Sequence, residues 1–388
     1  MIFGRAERLD TGPAKYSESI FSFLNRSARA EAGRVRDKME EWLSDYPVNE
    51  RGRLIASLQS SDDLVFLAAY FELYLFTLLR RLGYSLEVHP ATTSGAKKPD
   101  LVARETNELG VYVEAILASE ATRLESNQTV IMNQVYDILN EMDSPDFFIG
   151  LKISGAPKTQ PSAKKIREQV SEWLKSLDRD VIADLHQPDT LRGLPNLEIN
   201  HDGWHIVFLP IAKSPAARGK PGIRPIGTQM KGFELTKTKE AIRDAIGKKA
   251  TRYGEMDRPY IIAINVLSPV LDQEDVLDAL FGSEQLAFWT DMPDDHPPEW
   301  RRARDGVWLG PSGPENTRVS GVLIVKYLTP WTIAHSDVTL YHNPWAQRRY
   351  IGSLTTLSQA LPENGDIVFK PGVHPRELFG LEMNWPEI

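Results

Sequence analysis

Apolar residues recur along this chain at two spacings, and each spacing predicts an element. Over ARAEAGRVRDKMEEWLSDYP, Val35, Met39 and Leu43 return every fourth residue with Trp42 beside them. That is the stripe of an amphipathic helix, within a helical lead-in over 16–60 and stopped by Pro47. From Leu64 to Leu79 the run LVFLAAYFELYLFTLL is nearly continuous. At sixteen residues it is shorter than the roughly 20 a membrane span needs, and it carries a Glu at its centre, so a buried helix over 62–82 is expected. Ser60 or Ser61 can cap it, and Asp62 and Asp63 suit its positive end. Arg80 and Arg81 suit its negative end, and Gly83 can take the left-handed stop.

Strand patterns follow: YSLEVHP (84–90), PDLVA (99–103) and VYVEAILA (111–118), separated by turn-forming residues. A helix over 127–142 comes next, with Ile131, Val135, Ile138 and Met142 as its stripe, and then the strand FFIGLKI (147–153). A helix over 162–177 leads into loops near 180–202. WHIVFLPIA (204–212) reads as a strand, 236–251 as a helix and PYIIAINVL (259–267) as a buried strand. Alternating helix and strand signals over 60–270 predict an α/β layered fold. Past residue 283 prolines and tryptophans multiply, and the strand-like runs SGVLIVKYL and DVTLYHNP are shorter. The expected division is 1–60 as a helical segment, 61–282 as the α/β domain and 283–388 as a C-terminal elaboration or small domain.

Composition narrows the class. The 388 residues are 41% hydrophobic and 25% charged, as in a soluble globular protein, with a formal net charge of −8. That balance argues against a protein that coats nucleic acid indiscriminately. Cysteine is absent, which excludes disulfides, thiolate metal sites and a cysteine nucleophile and suits a cytoplasmic location. MIFGRAERLDTGPAK lacks the apolar core of a signal peptide, and no membrane partner is expected. No phosphate-binding loop, dinucleotide-binding glycine turn or nucleophile elbow occurs.

Two carboxylates break the apolar pattern. Alternation along VYVEAIL puts Glu114 on one face with Tyr112 and Ile116, and in KPDLVA residues Lys98, Asp100 and Val102 share a face. A loop of about eight residues between the two runs allows an antiparallel hairpin that brings Asp100 and Glu114 together. Carboxylates that close need a cation or a proton between them. Glu72 is the only charged residue from Leu64 to Leu79 and supplies a third acid. An all-oxygen set Glu72, Asp100 and Glu114 matches Mg²⁺ or Mn²⁺, ions that polarise phosphoryl oxygens and activate water. Taken singly, Glu114 could pair in the core with Arg104, Glu72 with Lys97, Lys98 or a tyrosine, and Asp100 could be a plain turn-to-strand residue.

Helix with Glu, strand, Pro-Asp strand, strand with Glu, helix and strand is an order that resembles the PD-(D/E)XK nuclease superfamily, over roughly residues 62–153. The resemblance implies a restriction-endonuclease-like core, a mixed sheet flanked by helices, and a Mg²⁺-dependent hydrolase of DNA phosphodiester bonds, in defence or repair. It places metal on Asp100 of Pro99-Asp100 and on Glu114, with Glu72 as the helix acid. The motif departs at one position: the lysine of E-x-K falls on Ile116. Lys98, Gln134 and Lys152 are candidates for a relocated group that orients water. A protein of this fold that has lost catalysis and only binds nucleic acid or a protein partner is the alternative, and a homodimer is compatible with either.

From Ile211 to Arg252 there are eleven Lys or Arg against three Asp or Glu, an excess of eight in a chain of net −8, which leaves about −16 elsewhere. Lys213, Arg218, Lys220, Arg224, Lys231, Lys248 and Lys249 are the expected phosphate contacts, on DNA or equally on RNA. The Gly- and Pro-rich stretch SPAARGKPGIRPIGTQMKG reads as a loop able to close on a ligand. His342-Asn343 and the carboxylates of DMPDDH read as turn and solvated loop.

Overall fold

The computed structural model describes the chain apart from residues 91–97, 106–109, 120–122, 186–192, 221–223, 232–237, 255, 288–298, 364–365 and 388, so DMPDDH lies outside the described residues. Met1–Thr11, Ser19–Glu120 and Thr236–Ile388 make one compact unit; Gly12–Glu18 and Ala121–Leu235 make a second. These units cut the chain at other places than 60 and 283. A long insertion, rather than a C-terminal segment, is what separates from the rest.

The first unit opens with α1 (Ile20–Arg26), α2 (Ala30–Asp45) and α3 (Val48–Leu58). The stripe Val35, Met39, Trp42 and Leu43 of α2 is buried, and Trp42 packs against Tyr70 and Tyr74 of α4 (Asp63–Arg81) at ring-centroid distances of 6.2 and 6.1 Å. Each such ring taken from water contributes about 1.5–3 kcal/mol, which is why a helix this apolar sits inside. Asp62, not Ser60 or Ser61, caps it, accepting from Leu64 N at 2.9 Å, and Gly83 takes the left-handed stop at φ +93°. Among the described residues no helix is long and apolar enough to cross a membrane.

Next, β1 (Ser85–Val88), β2 (Leu101–Arg104) and β3 (Val111–Ala118) pair antiparallel, with Leu101 opposite Val113 and Val102 opposite Tyr112. The chain then passes into the second unit, α5 (Arg123–Asn140), β4 (Phe147–Gly155), α6 (Ala163–Lys175), α7 (Arg179–Leu185), β5 (Leu197–His201), β6 (Trp204–Ala212) and β7 (Ile226–Lys231). Its four-stranded sheet has the order β5-β6-β4-β7. Val135 and Met142 of the expected stripe enter its core, joined by Met132, Tyr136 and Leu139, while Ile131 and Ile138 are only half-buried. α7 and β5 occupy the stretch expected as loops, and β7 occupies part of the Gly- and Pro-rich stretch.

On its return to the first unit the chain forms α8 (Thr238–Ala250) and β8 (Tyr260–Val266), which lies parallel to β3 with Ile262 opposite Glu114. All seven residues of β8 are buried, as in a central strand covered on both faces. After α9 (Gln273–Phe281) come a small pair, β9 (Glu284–Ala287) with β10 (Glu299–Arg302), and the short β11 (Leu309–Gly310) and β12 (Gly313–Pro314). Then β13 (Gly321–Lys326), β14 (Val338–His342), β15 (Ser358–Glu363) and β16 (Asp366–Lys370) extend the same sheet, and α10 (Pro375–Phe379) follows. The eight-stranded mixed sheet runs β1-β2-β3-β8-β13-β14-β15-β16, flanked by helices as expected of the α/β class. One assignment is corrected. The helix and strand that complete the Asp–Glu hairpin are α8 and β8, not 127–142 and 147–153, which belong to the insertion.

Candidate active site

The hairpin register decides the first contact. With Leu101 opposite Val113, Asp100 falls beside Glu114. The two acids are tied through backbone amides: Asp100 N donates to Glu114 Oε2 at 3.2 Å, and the N–H of Ala115, the residue after Glu114, donates to Asp100 Oδ2 at 2.8 Å. The pairing expected from strand alternation is present.

Glu114 is completely buried, so its charge must be met inside the protein. Helix α8 and the turn after it supply the partners. Lys249 Nζ and Arg252 Nη1 (3.3 Å) both reach Glu114 Oε1. Tyr253 OH donates to Oε2 at 2.6 Å and is itself pushed well above the usual phenol range by burial and by the carboxylate it binds. An arginine partner in the core was one alternative for Glu114; that arginine is Arg252, while Arg104 pairs with Glu87 at 2.8 Å.

Asp100 is treated differently. Its Oδ1 accepts no hydrogen bond among the described residues. Burial, and then repulsion from Glu114, raise its carboxyl to about 6, against the pull of Lys249 and of the Ala115 N–H; Glu72 adds to the rise. At Asp100 the positive charge nearby does not offset burial and the neighbouring carboxylates.

Glu72 is near enough to repel Asp100 but is bound to other groups. Tyr46 OH donates to its Oε1 at 2.6 Å and Arg53 Nη2 reaches both oxygens, at 3.0 and 3.3 Å. A tyrosine partner was one of its expected alternatives; Arg53 was not foreseen. The same Arg53 nitrogen lies 2.6 Å from His89 Nε2, and His89 Nδ1 lies 3.2 Å from Glu50. Asp100, Glu72, Arg53 and Lys249 line one side of a cleft of about 430 Å³.

The expected helper lysines are elsewhere. Lys98 is exposed and gives only its carbonyl oxygen, to Tyr253 OH at 3.0 Å. Lys152 and Gln134 are exposed side chains of the second unit, on β4 and α5. Lys249, expected to touch phosphate, is instead the ammonium that meets the Glu114 carboxylate. The signal that points to it in sequence is its place in the last turn of a helix eight residues before the buried strand run PYIIAINVL.

The basic stretch does not form one face. Lys213, Arg218, Lys220, Arg224 and Lys231 belong to the second unit, Lys248 and Lys249 to the first. Lys213 is only 2% exposed, donates to Ser144 O at 2.6 Å and lies over the Phe148 ring at 4.9 Å, so it is a structural cation rather than a phosphate contact. Arg218 pairs with Asp146 and Arg224 lies over the Tyr16 ring at 5.8 Å. Lys220 and Lys248 are exposed. Lys231 ends β7, and its side chain lies outside the described residues.

Among the described residues no three His, Asp or Glu side chains group as metal ligands. The donors that are present, Asp100 and Glu114, are all-oxygen, and Asp100 Oδ1 accepts no hydrogen bond among the described residues. That set fits Mg²⁺ or Mn²⁺ in kind, because such ions keep several waters and take one or two carboxylates together with substrate phosphate. No family model, curated protein or solved structure matches the chain.

Proposed function

We propose that the first unit is a metal-dependent nuclease of the PD-(D/E)XK kind, hydrolysing phosphodiester bonds of DNA, with its lysine supplied by α8. The observation that carries this reading is the convergence of three groups: Asp100 and Glu114 joined through backbone hydrogen bonds, and Lys249 on Glu114. The element order supports it as well. Helix α4, the antiparallel β1, β2 and β3, then α8 and the parallel β8 follow the sequence helix, three strands, helix, strand.

In this reading Asp100 and Glu114 hold the ion, which when bound supplies Lewis acidity and an activated water. Lys249 pairs with Glu114 and offers an ammonium where negative charge develops on the phosphate. Tyr253 and Arg252 fix the Glu114 carboxylate, and Glu72 keeps Arg53 beside the cleft. A second reading, a nuclease fold that binds DNA without cutting it, is favoured by one fact: both oxygens of Glu114 already have partners.

Incubating plasmid and single-stranded DNA with Mg²⁺ or Mn²⁺ separates the two. Wild type is expected to cut, while Asp100→Ala and Lys249→Met cut at least about 100-fold more slowly, the scale of losing an electrostatic catalytic group. If every substrate survives wild type and both variants, yet all three retard DNA in a gel, the binding reading stands in place of hydrolysis.

A further inference from the structure

Helix α4 is buried along most of its length, with one exception. From Phe66 to Leu79 all side chains are buried but Ala68 and Glu72, and in the first turn Leu64 and Val65 are 38% and 42% exposed. Leu64, Ala68 and Glu72 lie four residues apart, so a single stripe of the helix runs from bare apolar surface to the acid beside Asp100. Leu64, Val65 and Ala68 line the cleft that Asp100 and Lys249 also line, and Ile116 and Leu117 of β3 line it too. A chain that buries the rest of so apolar a helix leaves this wall open next to its charged centre.

We propose that the cleft receives one unpaired nucleotide, and hence that the substrate is single-stranded DNA or a frayed end rather than intact duplex. The inference rests on the nuclease reading. An intact double helix offers a cleft at its backbone only phosphate and sugar, for which aliphatic side chains have no use. An unpaired base offers an apolar face, which gains by leaving water against Leu64, Val65 and Ala68. The volume of about 430 Å³ lies at the small end of ligand sites and suits one nucleotide, not a stacked base pair with two backbones. Duplex must first unstack to enter; a single strand need not.

The phosphate has its own anchor. All of the hydrogen bonds of Arg53 to described residues are made by Nη2, with Glu72 and His89. Nε and Nη1 remain as donors on a half-exposed side chain in the cleft wall, a fork suited to phosphate oxygens. Arg53 is thus a binding residue for the substrate, with Lys249 lining the same cleft.

The test uses fluorescence anisotropy on the full chain with EDTA present, comparing an oligothymidylate with a blunt hairpin duplex of the same nucleotide count. The expected result is at least tenfold tighter binding of the single strand. Val65→Glu, which puts a charge on the wall at an exposed helix position, should cut that affinity at least tenfold and bring the two ligands level. Arg53→Gln should weaken single-strand binding and flatten its salt dependence. Ala68→Glu repeats the wall test at a second exposed position, should the first variant melt early. Equal binding of both ligands by wild type, no binding of either, or a preference untouched by both wall variants overturns the proposal, as does a changed oligomeric state with binding unaltered. Cleavage with Mg²⁺ in parallel keeps the two ideas apart. Duplex cut as fast as single strand overturns only the inference, whereas a retained single-strand preference with no cleavage overturns only the nuclease reading.

Discussion

The acid cleft of the first unit and the basic stretch of the second were both conspicuous by charge, and they differ in what the charges do. In the cleft, groups from α3, α4, β3, α8 and the approach to β2 converge, and every ionic group but Asp100 is paired with an opposite charge. In the basic stretch, Lys213 turns inward to a carbonyl, Arg218 takes the nearest aspartate and Arg224 covers a ring. Eleven cations in forty-two residues suggest a surface for phosphate, but they are divided between two units. A site is made by convergence from distant parts of the chain, and a local count of charges does not measure it.

The contrast can be broken most forcefully at Glu114. Glu114→Ala leaves Lys249 half-buried and without its carboxylate and should cost about 3–5 kcal/mol in denaturant unfolding, the scale for removing one partner of a buried pair. A loss below about 1 kcal/mol would show that the cluster does not hold this corner together.

Asp100 should act in the opposite direction. Burial and the Glu114 charge push its carboxyl up to about 6 in the folded protein from an ordinary 3.8, so between about pH 4 and pH 6 the native state is expected to hold more proton than the unfolded chain. Stability therefore falls as pH rises through that window, by up to about 3 kcal/mol at 1.36 kcal/mol per unit. Asp100→Asn should be more stable than wild type at pH 8 by an amount of that order, and equal to it near pH 4, as read by thermal melts across pH. A variant less stable at pH 8 contradicts the shortage of positive charge at this carboxylate.

The smallest effect belongs to the basic stretch. Lys213→Met keeps the apolar stem but removes the ammonium from Ser144 O and from the Phe148 ring, and should cost about 1 kcal/mol. Its DNA affinity in a gel-shift titration should equal that of wild type; a tenfold loss would return Lys213 to the phosphate surface.

Much of the first unit was legible from periodicity. The ends of α4, the stripe of α2 and the meeting of Asp100 with Glu114 all follow from spacing, because they depend on contacts close in sequence. The insertion was not legible. After β3 a helix and a strand do come next, as a nuclease-like core requires, and nothing local distinguishes α5 and β4 from α8 and β8. Only the parallel register of β8 on β3 tells them apart. Lys249 was hidden for the same reason, since 135 residues separate it from Glu114. Arg53 escaped because an arginine on an amphipathic helix, with Arg51 two residues away, looks like any solvated one. The alternation that places Glu114 on a face could not say which cation would meet it there.

That separation bears on how the protein is made. As the chain leaves the ribosome, Glu114 emerges well over a hundred residues before its ammonium partner, and Ala121–Leu235 of the second unit are synthesised in between. Until α8 and Tyr253 arrive, the innermost strand of the nascent sheet carries a charge that no folded core would accept dry. The hairpin of β2 and β3 must therefore stay hydrated during that interval, and the first unit can close only after the insertion has been released, so the last step of its folding is also the step that assembles the cleft.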